Sequence, residues 1–202
     1  MNDLVLDLSV FQDTVDFAAL KGKVVAVFAK ATDGLTEVDP QFRRNRDVAR
    51  NRGIPAGGYH FARMYDDGAL QAKHFLSVMG ANCNVIPMVD VEEESFAGVD
   101  APLDVLISRL SHLIATIDQK LPIGKRALIY TNWDTWTRYM GNTDAFAGHP
   151  LWVAQSEDPR VSGLFGGWTR AAIWQSGQGT IEGIDTQVDL DQLLVPLAEI
   201  LR

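Results

Sequence analysis

The feature that most constrains this chain is its alternation of short strand-like runs with helix-like intervals over almost the whole length. That order is the mark of a parallel sheet covered by helices. Strand-like runs fall at residues 4–8, 24–30, 55–61, 85–92, 127–131, 151–154, 171–175 and 186–189. Eight is the number that closes a β/α barrel.

The intervals between them carry helix signals. After the second run Asp39 is placed to cap a helix, Pro40 suits its first turn and Gly53 suits a left-handed exit, although the apolar side of this helix is thin. Residues 66–80 read as another helix. Asp100 and Pro102 open a longer one, in which Leu103, Leu106, Leu110, Leu113, Ile117 and Leu121 recur at spacings of three and four and form one buried stripe. Beyond Thr131 the helical intervals shorten and Gly and Trp become common. The expected fold is therefore α/β, an irregular, flattened TIM-like β/α barrel rather than a regular one with eight full helices.

With 202 residues, 47% of them hydrophobic, the chain has enough apolar material for one sizeable core and no composition break, so a single domain over residues 1–202 is expected. No repeat or Pro/Ser-rich linker marks an appended module. The apolar runs fall short of the roughly 20 residues that cross a bilayer, so no membrane insertion is expected. The head of the chain carries Asp3 and Asp7 and no basic residue before its apolar stretch, which does not read as a secretory signal. Cys83 is the lone cysteine and has no partner for an intramolecular disulfide. Lysine and arginine number 18 against 26 acids, a net charge of −8, which argues against nucleic acid and makes any binding to an anionic surface a matter of local recognition.

Chemistry enters with Met88-Val89-Asp90-Val91-Glu92. Side chains two apart on a strand point the same way, so Asp90 and Glu92 project together at the end of a strand, where β/α barrels build active sites. Taken alone, residues 90–94 read as a solvated acidic loop. Asp7 near the end of the first run and Asp189 at the end of the last change that reading, because four acids on one rim are costly unless function maintains them. Grouped carboxyls suit glycoside hydrolysis, in which one acid donates a proton while others stabilise positive charge. The four histidines show no zinc spacing and no calcium loop is present, so neither metal nor cofactor is expected. Ser9 lies in no nucleophile elbow, and Gly177-Gln178-Gly179 lacks the lysine of a phosphate loop. Aromatic residues near strand ends, Tyr59, Phe61, Tyr130, Trp133, Trp152 and Trp174, can stack on sugars or pack the core.

Taken in order, these segments resemble the family 25 glycoside hydrolases, the lysozymes of phages, bacteria and fungi. The likeness runs from Asp7-Leu8-Ser9-Val10-Phe11-Gln12 through Lys30-Ala31-Thr32-Asp33-Gly34, Tyr59-His60-Phe61-Ala62 and Asp90-Val91-Glu92. It continues in Tyr130-Thr131-Asn132-Trp133, Leu151-Trp152-Val153-Ala154, Trp174-Gln175-Ser176 and Val188-Asp189-Leu190. The resemblance implies an N-acetylmuramidase whose partner is the peptidoglycan glycan strand. It assigns catalysis to Glu92, the proton donor, with Asp90, Asp7 and Asp189, and groove lining to Lys30, Tyr59, Phe61, Tyr130, Trp133 and Gln175. It also implies a substrate-assisted route in which the sugar's own N-acetyl oxygen attacks the anomeric carbon. Asp33 stands where the family usually has glutamate, and Gln155 where an aromatic is usual. His60, inside Tyr-His-Phe, reads as a hydrogen-bonded core residue.

The expected setting is synthesis in the cytoplasm and action on the cell wall as a monomer, reached by release in the manner of a phage endolysin or by another export route. Two other readings fit part of the pattern. A barrel that binds wall glycan without turnover would show no new reducing ends, and a chitinase-like N-acetylhexosaminidase would release different fragments.

Overall fold

The computed structural model describes residues 3–12 and 14–202; Met1 and Asn2, at the head read above for a secretory signal, lie outside it, as does Asp13. Nine strands form one sheet: β1 (Leu4–Leu8), β2 (Val24–Asp33), β3 (Glu37–Val38), β4 (Ala56–Phe61), β5 (Met88–Asp90), β6 (Leu128–Asn132), β7 (Leu151–Ala154), β8 (Ile173–Gly179) and β9 (Val188–Leu193). Their order is β1-β9-β8-β7-β6-β5-β4-β2-β3, and β1 also pairs with β2, so eight strands close on themselves while β3 hangs on the edge of β2. Closure leaves the eight without a free edge.

The expected irregular barrel is what forms, with one correction to its strand directions. β1, β2 and β4 to β8 run parallel in sequence round the barrel, but β9 is antiparallel to both β8 and β1. The last strand is Val188–Leu193 rather than 186–189, so Asp189 stands at its beginning and not its end. Because the strand runs the other way, its beginning lies at the same rim as the ends of the others. The fourth predicted run is also trimmed, to Met88–Asp90, and the two-residue β3 was not anticipated.

Inward and outward residues separate by the two-residue period of strands. Val5, Phe28, Met88, Leu128, Trp152, Ile173 and Leu193 fill the barrel as one apolar cluster. Trp152 is its plug, edge-on to Phe28 at 5.2 Å and to Tyr130 at 6.0 Å between ring centroids. Outward residues Ala29, Val89, Ile129 and Val153 pack under helices α2 (Phe42–Asn51), α3 (Gly68–Met79), α4 (Leu103–Asp118) and α5 (Trp133–Met140), preceded in the chain by the four-residue α1 (Phe17–Leu20). On α4, Leu106, Leu110, Leu113, Ile114 and Ile117 are buried, whereas Leu103 is exposed and Leu121 lies beyond the helix end. Asp39 does not cap α2: Gln41 stands at the cap position, and Asp39 instead takes the backbone N–H groups of Gln41 and Val10. The thin apolar face of α2 is real, with Asn45 and Arg46 buried beside Phe42 and Ala49. After α5 only four-residue helices remain, α6 (Pro159–Ser162) and α7 (Leu197–Ile200), which leaves this side of the barrel without long helical cover.

His60 is a core residue, fully buried, with Thr32 Oγ1 at 2.8 Å from Nδ1 and Gln71 Oε1 at 3.1 Å from Nε2. Burial pushes its pKa down to about 4. Cys83 is likewise buried, its thiol donating to the Met79 carbonyl oxygen.

Candidate active site

At the rim where the parallel strands end, a recess of about 90 Å³ is lined by Asp7, Tyr59, Met88, Asp90, Glu92, Tyr130, Gln175 and Asp189. Asp7 comes from β1, Tyr59 from β4, Asp90 from β5, Tyr130 from β6, Gln175 from β8 and Asp189 from β9, so six strands contribute to one small space. Strand register brings them level: Asp90 pairs with both Phe61 and Tyr130, and Asp7 with Phe28.

Glu92 lies two residues past Asp90, just beyond the end of β5. Its backbone stays extended (φ −121°, ψ 179°), so the two-residue alternation carries it to the same side as Asp90. A 3₁₀ turn (Glu93–Phe96) begins immediately after, and buried Ser95 fixes the junction: its Oγ accepts from Glu92 N at 3.0 Å and its own N–H donates to the Glu92 carbonyl. The carboxyl is thereby held by a rigid turn at its base.

Asp90, Glu92 and Asp7 hold a proton more readily than ordinary carboxyls. Burial raises Asp90 well above the usual range, and the charges of Glu92 and Asp7 raise it further. Glu92 is also raised, first by burial and then by the charge of Glu94, although a side-chain hydrogen bond with Asp90 and the charge of Lys30 oppose the shift. Asp7 is pushed up to about 8 by burial and by the charges of Asp189 and Glu92. Asp189 Oδ1 accepts from Gln178 Nε2 at 3.1 Å. One Asp90 oxygen is buried without a partner. Asp90 and Glu92 thus form an interacting pair in which each carboxyl raises or tunes the proton affinity of the other, with the less buried Glu92 as its outward member.

A relay of neutral groups joins the two sides. Tyr130 Oη donates to Gln175 Oε1 at 2.7 Å, and Gln175 Nε2 reaches Asp7 Oδ2 at 3.3 Å. Burial and the surrounding acids raise the pKa of both Tyr59 and Tyr130, so they stay protonated as donors.

The remaining expected groove residues sit apart from the recess. Lys30 pairs with Asp33 at 3.3 Å and its ammonium stands 4.9 Å from the Phe61 ring centre. Arg63 stands 4.6 Å from the same centre and grips both Asp33 oxygens at 2.6 and 2.9 Å. Trp133, at the start of α5 and exposed, lines a separate recess with Gln155, Glu157 and Phe165.

Two site residues went unread in the sequence. Met88 lines the recess, and Asp191 lies beneath it, fully buried, accepting from Trp152 Nε1 at 3.0 Å while its other oxygen has no partner. Burial and the Asp7 charge raise the Asp191 pKa well above the usual range. The signal was available: residues 189 and 191 share a strand face by the same rule that grouped 90 with 92. Among the described residues, no three His, Cys, Asp or Glu side chains are arranged to hold a metal ion.

Carboxyls of raised proton affinity in a tyrosine-lined recess at a barrel rim have the make-up that glycoside hydrolysis uses. Comparison with known proteins gives the particular family. Residues 6–184 match the model for glycosyl hydrolases family 25, and the chain belongs to that family. It is 30% identical over 202 residues to the N,O-diacetylmuramidase of Arthroderma benhamiae, covering 93% of this chain and 83% of that one. It is 27% identical to the autolytic lysozyme of Clostridium acetobutylicum, covering 93% of this chain and 54% of that one, so it spans about half that relative's length. Its backbone follows that of the muramidase from Trichobolus zukalii with a TM-score of 0.85 at 27% identity, covering 98% of each chain.

Proposed function

We propose that the protein is a lysozyme of the N-acetylmuramidase type, cutting the β-1,4 bond between N-acetylmuramic acid and N-acetylglucosamine in peptidoglycan. We extend that role to residues 1–202 as one catalytic domain acting on the cell wall. The observation that carries the reading is the meeting of Asp7, Asp90, Glu92 and Asp189 in one recess, within a family of glycosyl hydrolases.

Glu92 is the proton donor. It is the outward member of the Asp90–Glu92 unit, and its raised proton affinity keeps the acid form available near neutral pH. A direct double displacement needs two carboxyls about 5–5.5 Å apart across the bond, and an inverting pair needs about 6.5–9.5 Å. Asp90 and Glu92 stand side by side on one strand face rather than across the scissile bond from each other, an arrangement that supports the substrate-assisted route. The N-acetyl carbonyl oxygen bonds to the anomeric carbon as the glycosidic bond breaks, and the Glu92 proton goes to the leaving oxygen. Asp90 takes the amide N–H of the same group. Water then adds to the anomeric carbon, giving its proton to Glu92 and releasing the N-acetyl oxygen. Tyr59, Tyr130 and Gln175 orient the sugar, while Asp7 and Asp189 place water and adjust the local charge. Lys30, Phe61 and Trp133 extend the groove beyond the recess.

The test is mass analysis of fragments released from defined peptidoglycan, with chitin oligomers in parallel. Fragments ending in reducing N-acetylmuramic acid are expected. Cleavage of chitin alone would make the protein a different N-acetylhexosaminidase, and no new reducing ends would make it a binding barrel.

A further inference from the structure

Among the described residues three large aromatic side chains are exposed, Phe11, Tyr65 and Trp133, and each follows a strand end at the mouth of the barrel, after β1, β4 and β6 respectively. Single exposed apolar residues are ordinary on a protein surface, but these rings are gathered on the rim that carries the carboxyl recess. Phe11 is 80% exposed and Trp133 58%.

Two of the three rings lie on one line through the recess. Counted round the closed sheet from β1, β6 is fourth by way of β9, β8 and β7 and fourth again by way of β2, β4 and β5. Phe11 and Trp133 therefore stand at opposite ends of a diameter with the carboxyls between them, whereas Tyr65, after β4, stands a quarter-turn off that line. The mouth is edged on both sides of the line. On one side Arg63 holds both Asp33 oxygens and donates to the Glu94 carbonyl, which links the ends of β2, β4 and β5. On the other, β8 runs on past Gln175 to Gly179 and stays paired with β9.

Both ends are built to hold their rings outward. Val10 N donates to Asp39 Oδ2 at 2.9 Å, Phe11 N to Ser9 Oγ at 3.3 Å and Gln12 N to the Ser9 carbonyl at 3.1 Å, so the turn that carries Phe11 is tied down at successive residues. Trp133 opens α5, whose first turn is capped by Asn132 Oδ1 accepting from Thr135 N at 2.8 Å. Its ring borders a recess of about 290 Å³ that also has the polar side chains of Gln155, Ser156 and Glu157 in its wall. A flat apolar face beside hydrogen-bonding groups matches a pyranose ring, which has an apolar face and a hydroxyl edge.

We propose that the glycan strand crosses the mouth along this diameter, and that Phe11 and Trp133 are its outer sugar platforms, so that the enzyme cuts within long strands rather than at their ends. The inference rests on the muramidase reading. A line open at both ends places sugars on either side of the bond that breaks, and contacts remote from that bond supply binding energy to the reaction.

The test is kcat/KM on peptide-free glycan strands of defined length for wild type, Phe11→Ala, Trp133→Ala and Tyr65→Ala. Each of the first two should lower kcat/KM on long strands by about 2- to 12-fold, the range of one stacked ring contact. The loss should shrink as strands become too short to reach the missing ring, and Phe11→Tyr and Trp133→Tyr, which keep a ring, should recover most of it. Tyr65→Ala should behave as wild type. Losses equal at every length, a loss in only one of the two alanine variants, no recovery with tyrosine, or a matching loss in Tyr65→Ala would overturn the crossing. If wild type cleaves no strand the muramidase reading fails, and migration in native gels containing the same strands judges the platforms separately. Retarded wild type with an unretarded Phe11→Ala, Trp133→Ala double variant would keep them; equal migration would remove them.

Discussion

Two groups of acids stand on the same rim and are treated in opposite ways. Asp33 is bound by Arg63 at 2.6 and 2.9 Å and by Lys30 at 3.3 Å, and hydrogen bonds from Arg63 together with both cationic charges outweigh burial to hold its pKa below the usual value. Asp90, Glu92 and Asp7 have no such cation bonded to them, and burial with neighbouring negative charge raises the pKa of all three. The first group spends its charge on structure. The second keeps charge and proton unresolved, which is unfavourable for the fold and is what a general acid needs.

The sharpest way to break the contrast is Glu92→Gln, which removes the exchangeable proton and keeps shape. Turnover on peptidoglycan should fall by about 10²- to 10⁴-fold, the usual share of a general acid, while circular dichroism and melting temperature stay close to wild type. Near-normal release of reducing ends would take Glu92 out of its role. Asp33→Ala attacks the other group and should act on stability, lowering it by about 1–3 kcal/mol because two charge-assisted contacts to Arg63 are lost. The wild-type contribution carries a pH signature. A depressed folded-state pKa means the stabilisation is present above the ordinary carboxylate range and lost as pH falls through the folded value, so denaturant midpoints of wild type and variant should converge in acid.

Asp7→Asn should act on stability with the opposite sign. With the folded pKa raised to about 8, the native state binds a proton more tightly than the unfolded chain between about pH 4 and 8. Stability contributed by this site therefore declines as pH rises through that window. The asparagine variant should melt higher than wild type at pH 8, show little difference at pH 4, and lose activity. An equal melting temperature at both pH values would show that Asp7 titrates normally.

How much of this could be read in advance depended on distance along the chain. Asp90 and Glu92 were legible because strand alternation is local, and the extended backbone at Glu92 keeps it going past the end of β5. The closed barrel followed from the order of the runs. The direction of β9 did not, since whether a last strand runs up or down is settled by pairing with β1 and β8, far away in sequence. The sequence reading thus placed Asp189 at the right rim although it misjudged the strand end. Lys30 and Trp133 have the right chemistry, but their neighbours Asp33, Phe61 and Gln155 decide where they sit. No local pattern encodes those neighbours.

Asp191 sharpens the comparison at its finest scale, because it is a carboxyl of the second kind with no access to the recess. Its Oδ1 accepts from Trp152 Nε1, its Oδ2 is buried without a partner, and Asp7 raises its proton affinity further. A carboxyl that keeps its proton is nearly isosteric with an amide. Asp191→Asn should therefore change stability at pH 7 by only a few tenths of a kcal/mol, since the Trp152 acceptor survives and no buried charge is removed. Asp191→Leu deletes that acceptor and should cost about 1–3 kcal/mol by leaving the indole N–H unmatched. If the asparagine variant instead melts clearly higher than wild type at pH 7, Asp191 is ionised in the native protein, and the negative charge beneath Asp7 is part of what keeps that acid protonated.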